Sequence, residues 1–133
     1  MSFELAMVAA SSVFALVHIV IASHAASLQR GYRWTASARD AELPPLKGVA
    51  GRLDRALRNF LETFPVFLAA VFLVQILGRQ GALSEWGAGL YFFARLAYLP
   101  LYAFGVPLVR SLVWNVATIG IILLLAAAAW PAA

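Results

Sequence analysis

No cysteine occurs anywhere in the 133 residues of the chain. That excludes disulfides, zinc–thiolate sites and a cysteine nucleophile, so any thiol chemistry has to use a thiol brought in by a ligand. Charge is scarce as well. Charged residues make up 12% of the sequence and hydrophobic ones 63%, whereas roughly a quarter of a soluble globular domain is charged. This is the composition of an integral membrane protein, and its length holds one domain, over 1–133, with no soluble module beside it. Histidine is nearly missing: His18 and His24 fall on different faces of one helix with no third ligand near them in sequence, so no metal is expected. The net charge is +4, but the basic residues sit mostly beside helix ends. There they set topology and meet anionic lipid head groups, so membrane lipids are expected as partners and nucleic acid is not. The basic n-region of a signal peptide is also lacking. Glu4 stands in its place and the first apolar run outlasts an h-region, which reads as a retained span.

What is present is apolar sequence in four segments: Phe3 to Leu28, Asp54 to Gly78, Leu83 to Phe104 and Leu108 to Trp130. A spanning helix takes about 20 residues. The outer two segments reach that length almost free of charge, while the middle two reach it only by including charges. The charge-free stretch from Thr63 to Gly78 is too short, so its helix extends back through Glu62 and Asn59 toward Arg58 and Arg55. The third segment has to carry Arg95. The expected fold is all-α, a polytopic membrane protein with a four-transmembrane-helix bundle. The long first loop holds Arg30, Arg33, Arg39, Lys47 and Arg52, with Pro44, Pro45, Gly48 and Gly51 as breakers. Basic loops stay in the cytoplasm, which places this loop there and both termini on the opposite side. Glu62 then lies about nine residues into the second helix and Arg95 about nine before the end of the third, each roughly 13 Å from the cytoplasmic face.

Intramembrane charge is costly and marks a functional site by default. Arg55, Arg58, Asn59 and Glu62 share one helical stripe at i, i+3, i+4 and i+7. Two guanidiniums grip carboxylates and a glutamate accepts from an ammonium, so this face suits an anionic ligand that also has an amino group. The bland alternative is an anchor, with the arginines snorkelling and Glu62 paired to Arg95 as a structural ion pair. Either way the matching depths predict that pair. On the third helix Tyr98 and Tyr102 follow Arg95 at helical spacing. Tyr98 lies deep enough that its hydroxyl needs a partner; Tyr102 suits an interface anchor and a site residue equally. Arg110 and Ser111 open the fourth helix, followed one turn later by Trp114 and Asn115. An arginine there opposes the helix dipole, and with the free N–H groups of the first turn it forms a site for an anion such as a thiolate.

The runs Arg55-Ala56-Leu57-Arg58-Asn59-Phe60-Leu61-Glu62-Thr63 and Ala94-Arg95-Leu96-Ala97-Tyr98, with Tyr102 and the pair Arg110-Ser111, resemble the MAPEG family, the membrane-associated proteins of eicosanoid and glutathione metabolism. Order and placement both match. The resemblance implies a four-helix membrane bundle forming homotrimers, with glutathione bound as co-substrate between protomers near the cytoplasmic face. It implies that Arg55, Arg58, Asn59 and Glu62 hold the glutathione backbone, that Tyr98 and Tyr102 contribute from the third helix, and that Arg110 with Ser111 is catalytic, stabilising the thiolate. Arg30 matches a basic residue used by some members. Tyr98 stands where the prostaglandin-synthesising branch has histidine, so the chain looks closer to the leukotriene-conjugating and bacterial branches; a bacterial-type member in an inner membrane is expected. Trp114 stands where some relatives have tyrosine. The implied function is a glutathione transferase or peroxidase acting on a lipophilic second substrate from the bilayer. The rival readings are a non-catalytic lipid- or glutathione-binding scaffold and a small transporter subunit. Against the transporter, the far halves of the second and fourth helices are apolar.

Overall fold

A computed structural model describes residues 1–130; the last three residues of the expected single domain lie outside the described residues. Among the described residues there are five helices and no strand: α1 (Phe3–Arg30), α2 (Tyr32–Ala36), α3 (Gly48–Ile76), α4 (Ala82–Ala103) and α5 (Leu108–Ala129). The four long ones correspond to the four apolar segments. Three of them, α1, α3 and α5, are long and apolar enough to cross a membrane. The fourth expected span, α4, is not among the three. It has the length, but Ser84, Glu85, Arg95, Pro100 and its three tyrosines dilute its apolar content.

The first loop differs from expectation. It contains the short helix α2, and α3 begins at Gly48, so that Gly48 and Gly51 lie inside the helix and do not interrupt it. The Leu46 carbonyl folds back against α3 and would lie 2.7 Å from a Cβ on Gly51. Glycine is there for the close approach, which a side chain would block. The Gln29 side chain closes this loop by accepting from the Lys47 N–H at 2.8 Å and donating to the Lys47 carbonyl at 3.2 Å. The end of α1 is thus clamped to the start of α3.

α3 and α4 form the centre of the packing, each touching the other and both α1 and α5, whereas α1 and α5 do not touch. Four side-chain rungs fix the antiparallel register of α3 against α4. Thr63 and Tyr91 share a hydroxyl–hydroxyl bond of 3.0 Å, and Arg95 donates to the Asn59 carbonyl oxygen at 2.8 Å. Arg55 Nε donates to the Tyr102 hydroxyl at 3.2 Å, and Arg52 Nε to the Ala103 carbonyl at 2.8 Å. Every rung carries an arginine or a hydroxyl, so the polar residues within these apolar helices are what sets their alignment. Deeper in, Phe67 stacks on Tyr91 with ring centres 4.1 Å apart, and Phe14 of α1 meets Phe60 edge-on at 5.4 Å. His18 is buried against the same Phe14 and Phe60 rings. His24 bonds Tyr32 through Nδ1 at 2.8 Å, which ties α2 to α1.

α4 and α5 approach most closely at Gly87 and Gly120. A Cβ on Gly120 would lie 2.6 Å from the Gly87 carbonyl oxygen and 2.7 Å from the Tyr91 nitrogen. Small residues at such crossings let backbones meet, the usual device where lipid supplies no hydrophobic drive between helices. At the same end Glu4, 1% exposed, accepts a hydrogen bond from the Ser84 hydroxyl. The Ser84 hydroxyl also accepts from the Gly81 N–H at the start of α4.

Candidate functional site

α3, α4 and α5 line an open cavity of about 450 Å³. α3 supplies Arg55, Arg58, Asn59 and Glu62, the stripe that helical spacing places on one face. α4 supplies Tyr98 and Tyr102, and α5 supplies Arg110 and Ser111. Residues that the sequence separates by more than forty positions, on three helices, thus line one space.

Tyr102 is the joint between them. Its hydroxyl accepts from Arg55, and the Arg110 guanidinium sits over its ring at 4.5 Å from the centre. A cation over an aromatic face is held by the ring quadrupole, at about 0.5 to 2 kcal/mol depending on exposure. One tyrosine therefore orders a cation from α3 and a cation from α5. Tyr98 meets Tyr102 edge-on at 5.6 Å and carries the Arg95 guanidinium over its own face at 4.2 Å. Arg58 turns toward Asp54, one turn back on α3, at 3.1 Å. Both ends of that pair are well exposed, with side-chain accessibilities of 75% and 36%, so it holds Arg58 only weakly.

One expectation is corrected. Within the chain Glu62 does not pair with Arg95: among the described residues the only ion pair within 4.0 Å is Arg58–Asp54. The rungs explain why. Arg95 lies level with Asn59, one turn short of Glu62, and takes the amide oxygen, while Glu62 is exposed at the cavity. Arg30 is not among the residues that line this cavity within the chain; its guanidinium lies over Trp34 at 5.2 Å, in the first loop.

Trp114 and Asn115 also line the cavity, and sequence reasoning did not include them. The signal was there, since each stands four residues after Arg110 or Ser111 and so on the same helix face. Trp114 Nε1 is buried without a hydrogen-bond partner, and Asn115 donates to the Ser111 carbonyl at 3.0 Å. Among the described residues no three of His, Cys, Asp and Glu come together as a metal site.

Chemically the wall offers guanidiniums for carboxylates, one carboxylate for an ammonium, and a cation beside a serine hydroxyl at the first turn of α5. The family model that matches this sequence is described as the MAPEG family, and it covers residues 7–130. No curated protein matches the chain.

Proposed function

From membership of the MAPEG family, to which this chain belongs, and from the charge of its cavity, we propose that this integral membrane protein binds glutathione and activates its thiolate as a transferase or peroxidase. The observation that carries the reading is the charge balance. Of the residues that line the cavity, Arg55, Arg58 and Arg110 stand against Glu62 alone, an excess of two positive charges. Glutathione with its thiol ionised has two carboxylates, a thiolate and an ammonium, an excess of two negative charges.

In this reading Arg55, Arg58 and Asn59 take the carboxylates, Glu62 takes the ammonium, and Tyr98 and Tyr102 form the wall behind the chain of the tripeptide. Arg110 and the Ser111 hydroxyl face the sulfur. A neighbouring cation lowers a thiol pKa from about 8.5 toward or below neutrality. The thiol proton leaves to water, and the sulfur attacks an electrophilic carbon to form a C–S bond as the carbon's bond to a halide or epoxide oxygen breaks, the pair leaving with that atom and an epoxide oxygen taking its proton from water. With a hydroperoxide the sulfur attacks the distal oxygen instead, and a second glutathione completes the reduction to alcohol, water and disulfide. The lipophilic partner arrives through the bilayer. α4 serves as the fourth span of the bundle over 1–133, its polar residues sheltered by α3 and α5, and three copies assemble as a homotrimer in a bacterial inner membrane. Arg30 remains available to the cavity of a neighbouring copy.

Titrating purified protein with glutathione while following ultraviolet thiolate absorbance tests ligand and activation together. A saturating signal is expected. Thermal protection without any thiolate signal would favour the non-catalytic scaffold instead. Because Glu62 has no ion-pair or hydrogen-bond partner among the described residues, Glu62→Ala changes stability by no more than about 0.5 kcal/mol without ligand. The same variant loses most of the protection that glutathione gives, read as the melting temperature in detergent with and without it. An equal loss of stability in both conditions would return Glu62 to a structural role.

The first loop, basic as it is, faces the cytoplasm in this proposal, with both termini opposite. A reporter fused after Ala133 should be active only outside the cytoplasm. Activity on the cytoplasmic side would reverse the topology and turn the cavity away from the glutathione pool.

A further inference from the structure

We infer that Arg95, which does not line the cavity, decides what Asn59 presents to a ligand there, acting as a positioning residue that makes the amide a pure donor toward one carboxylate. The inference rests on the reading of the cavity as a glutathione site. An asparagine side chain can turn either its oxygen or its NH₂ to a ligand, and the surrounding network settles which. Arg95 leaves no choice, because a guanidinium has five donors and no acceptor. Its Nη1 holds Asn59 Oδ1 at 2.8 Å. That leaves Nδ2, for which no hydrogen bond is found among the described residues, as the free end of a side chain in the cavity wall.

The guanidinium is itself fixed. Arg95 is 2% exposed and lies between the Tyr98 ring at 4.2 Å and the Phe60 ring at 5.5 Å. No carboxylate in the described chain lies within 4.0 Å of it. A buried cation without an acidic partner adds positive potential to the space beyond Asn59. Orientation therefore selects an acceptor oxygen, and charge ranks the anionic oxygen of a carboxylate above the neutral carbonyl of a carboxamide, which the same NH₂ could also bond. Asn59 alone would accept either.

Selectivity tests this, because a merely structural Arg95 would not set it. The ligands are glutathione and its two analogues in which one carboxylate at a time is replaced by a carboxamide, with dissociation constants measured on the full-length protein in detergent. Wild type should bind one of the analogues about tenfold more weakly than glutathione, the size of one lost charge-assisted hydrogen bond. Arg95→Met, which keeps length but no donor, should bind that analogue and glutathione about equally. Arg95→Lys, donor-only and charged, should restore the preference. Should Arg95→Met fail to fold, Asn59→Asp gives the same answer, because it turns the wall into an acceptor beside an intact Arg95 and should lose the preference for carboxylate. An unchanged preference in Arg95→Met or in Asn59→Asp overturns the positioning role while leaving glutathione binding in place. No binding of glutathione by wild type overturns that role together with the function on which it rests.

Discussion

Arg110→Ala is expected to abolish the thiolate absorbance of glutathione-loaded protein and most conjugation of a model electrophile, while glutathione still protects the protein against heating. The separation follows from position. Arg55, Arg58, Asn59 and Glu62 are all on α3, whereas Arg110 is at the opening of α5, across the Tyr102 ring. The α3 residues meet charges that glutathione carries at any pH near neutrality, so they act on binding. Arg110 meets a sulfur that is charged in only one of its two states and so favours that state. If it lowers the thiol pKa by about two units, its loss is worth roughly 2.7 kcal/mol, or about a hundredfold in thiolate population. Assistance that appears only as charge develops is read in turnover more than in affinity. Arg58→Ala should do the reverse, weakening thermal protection first. Equal thiolate signals in wild type and Arg110→Ala would sink the catalytic assignment.

A second large effect belongs to the far end of the bundle. Gly120→Ala adds one methyl group where the two nearest atoms are both α4 backbone, the Gly87 carbonyl and the Tyr91 nitrogen. Neither can swing away as a side chain would. α4 and α5 must separate or slide, which disturbs the Phe67–Tyr91 stack and the Thr63–Tyr91 bond. Overpacking of this kind costs about 1 to 3 kcal/mol, and a clash with helix backbone puts Gly120→Ala at the upper end. The check is the melting temperature in detergent beside that of Gly81→Ala, a glycine with open space around it. If the two melt alike, the close crossing is not what holds α5 in place.

Much of this architecture was legible in the sequence because a membrane constrains length and polarity together. Thr63 to Gly78 is too short to cross, which forces Glu62 and Asn59 onto the helix, and helical spacing then forces the α3 stripe to share a face. What could not be read is how each helix is rotated about its axis and which turn of one stands level with which turn of the next. Depth counted from an estimated interface is good to about one turn. One turn is the difference between Glu62 and Asn59 as the partner of Arg95. The path of the first loop was equally hidden, since nothing in its composition says that Trp34 lies under Arg30 or that Leu46 folds onto Gly51. Trp114 and Asn115 were legible and simply had the weaker chemistry beside an arginine and a serine. α4 is the reverse case. Its length marks it as a span while its tyrosines and Arg95 pull its hydropathy down, and those are the residues that face α3.

The exposed contact between Arg58 and Asp54 has a consequence for how binding responds to salt. An arginine that waits in solution with only mobile counterions must shed them when a carboxylate arrives, and each such release makes affinity fall as ionic strength rises. Arg58 does not wait in that way. Its counterion is covalently part of the chain, four residues away, and an incoming carboxylate exchanges with it instead of displacing ions from solution. Exchange of one tethered anion for another is nearly neutral in screening, because added salt weakens the resident contact and the incoming one alike. The affinity of the cavity should therefore decline with salt less steeply than its number of arginines implies, and Asp54→Asn should make the decline steeper.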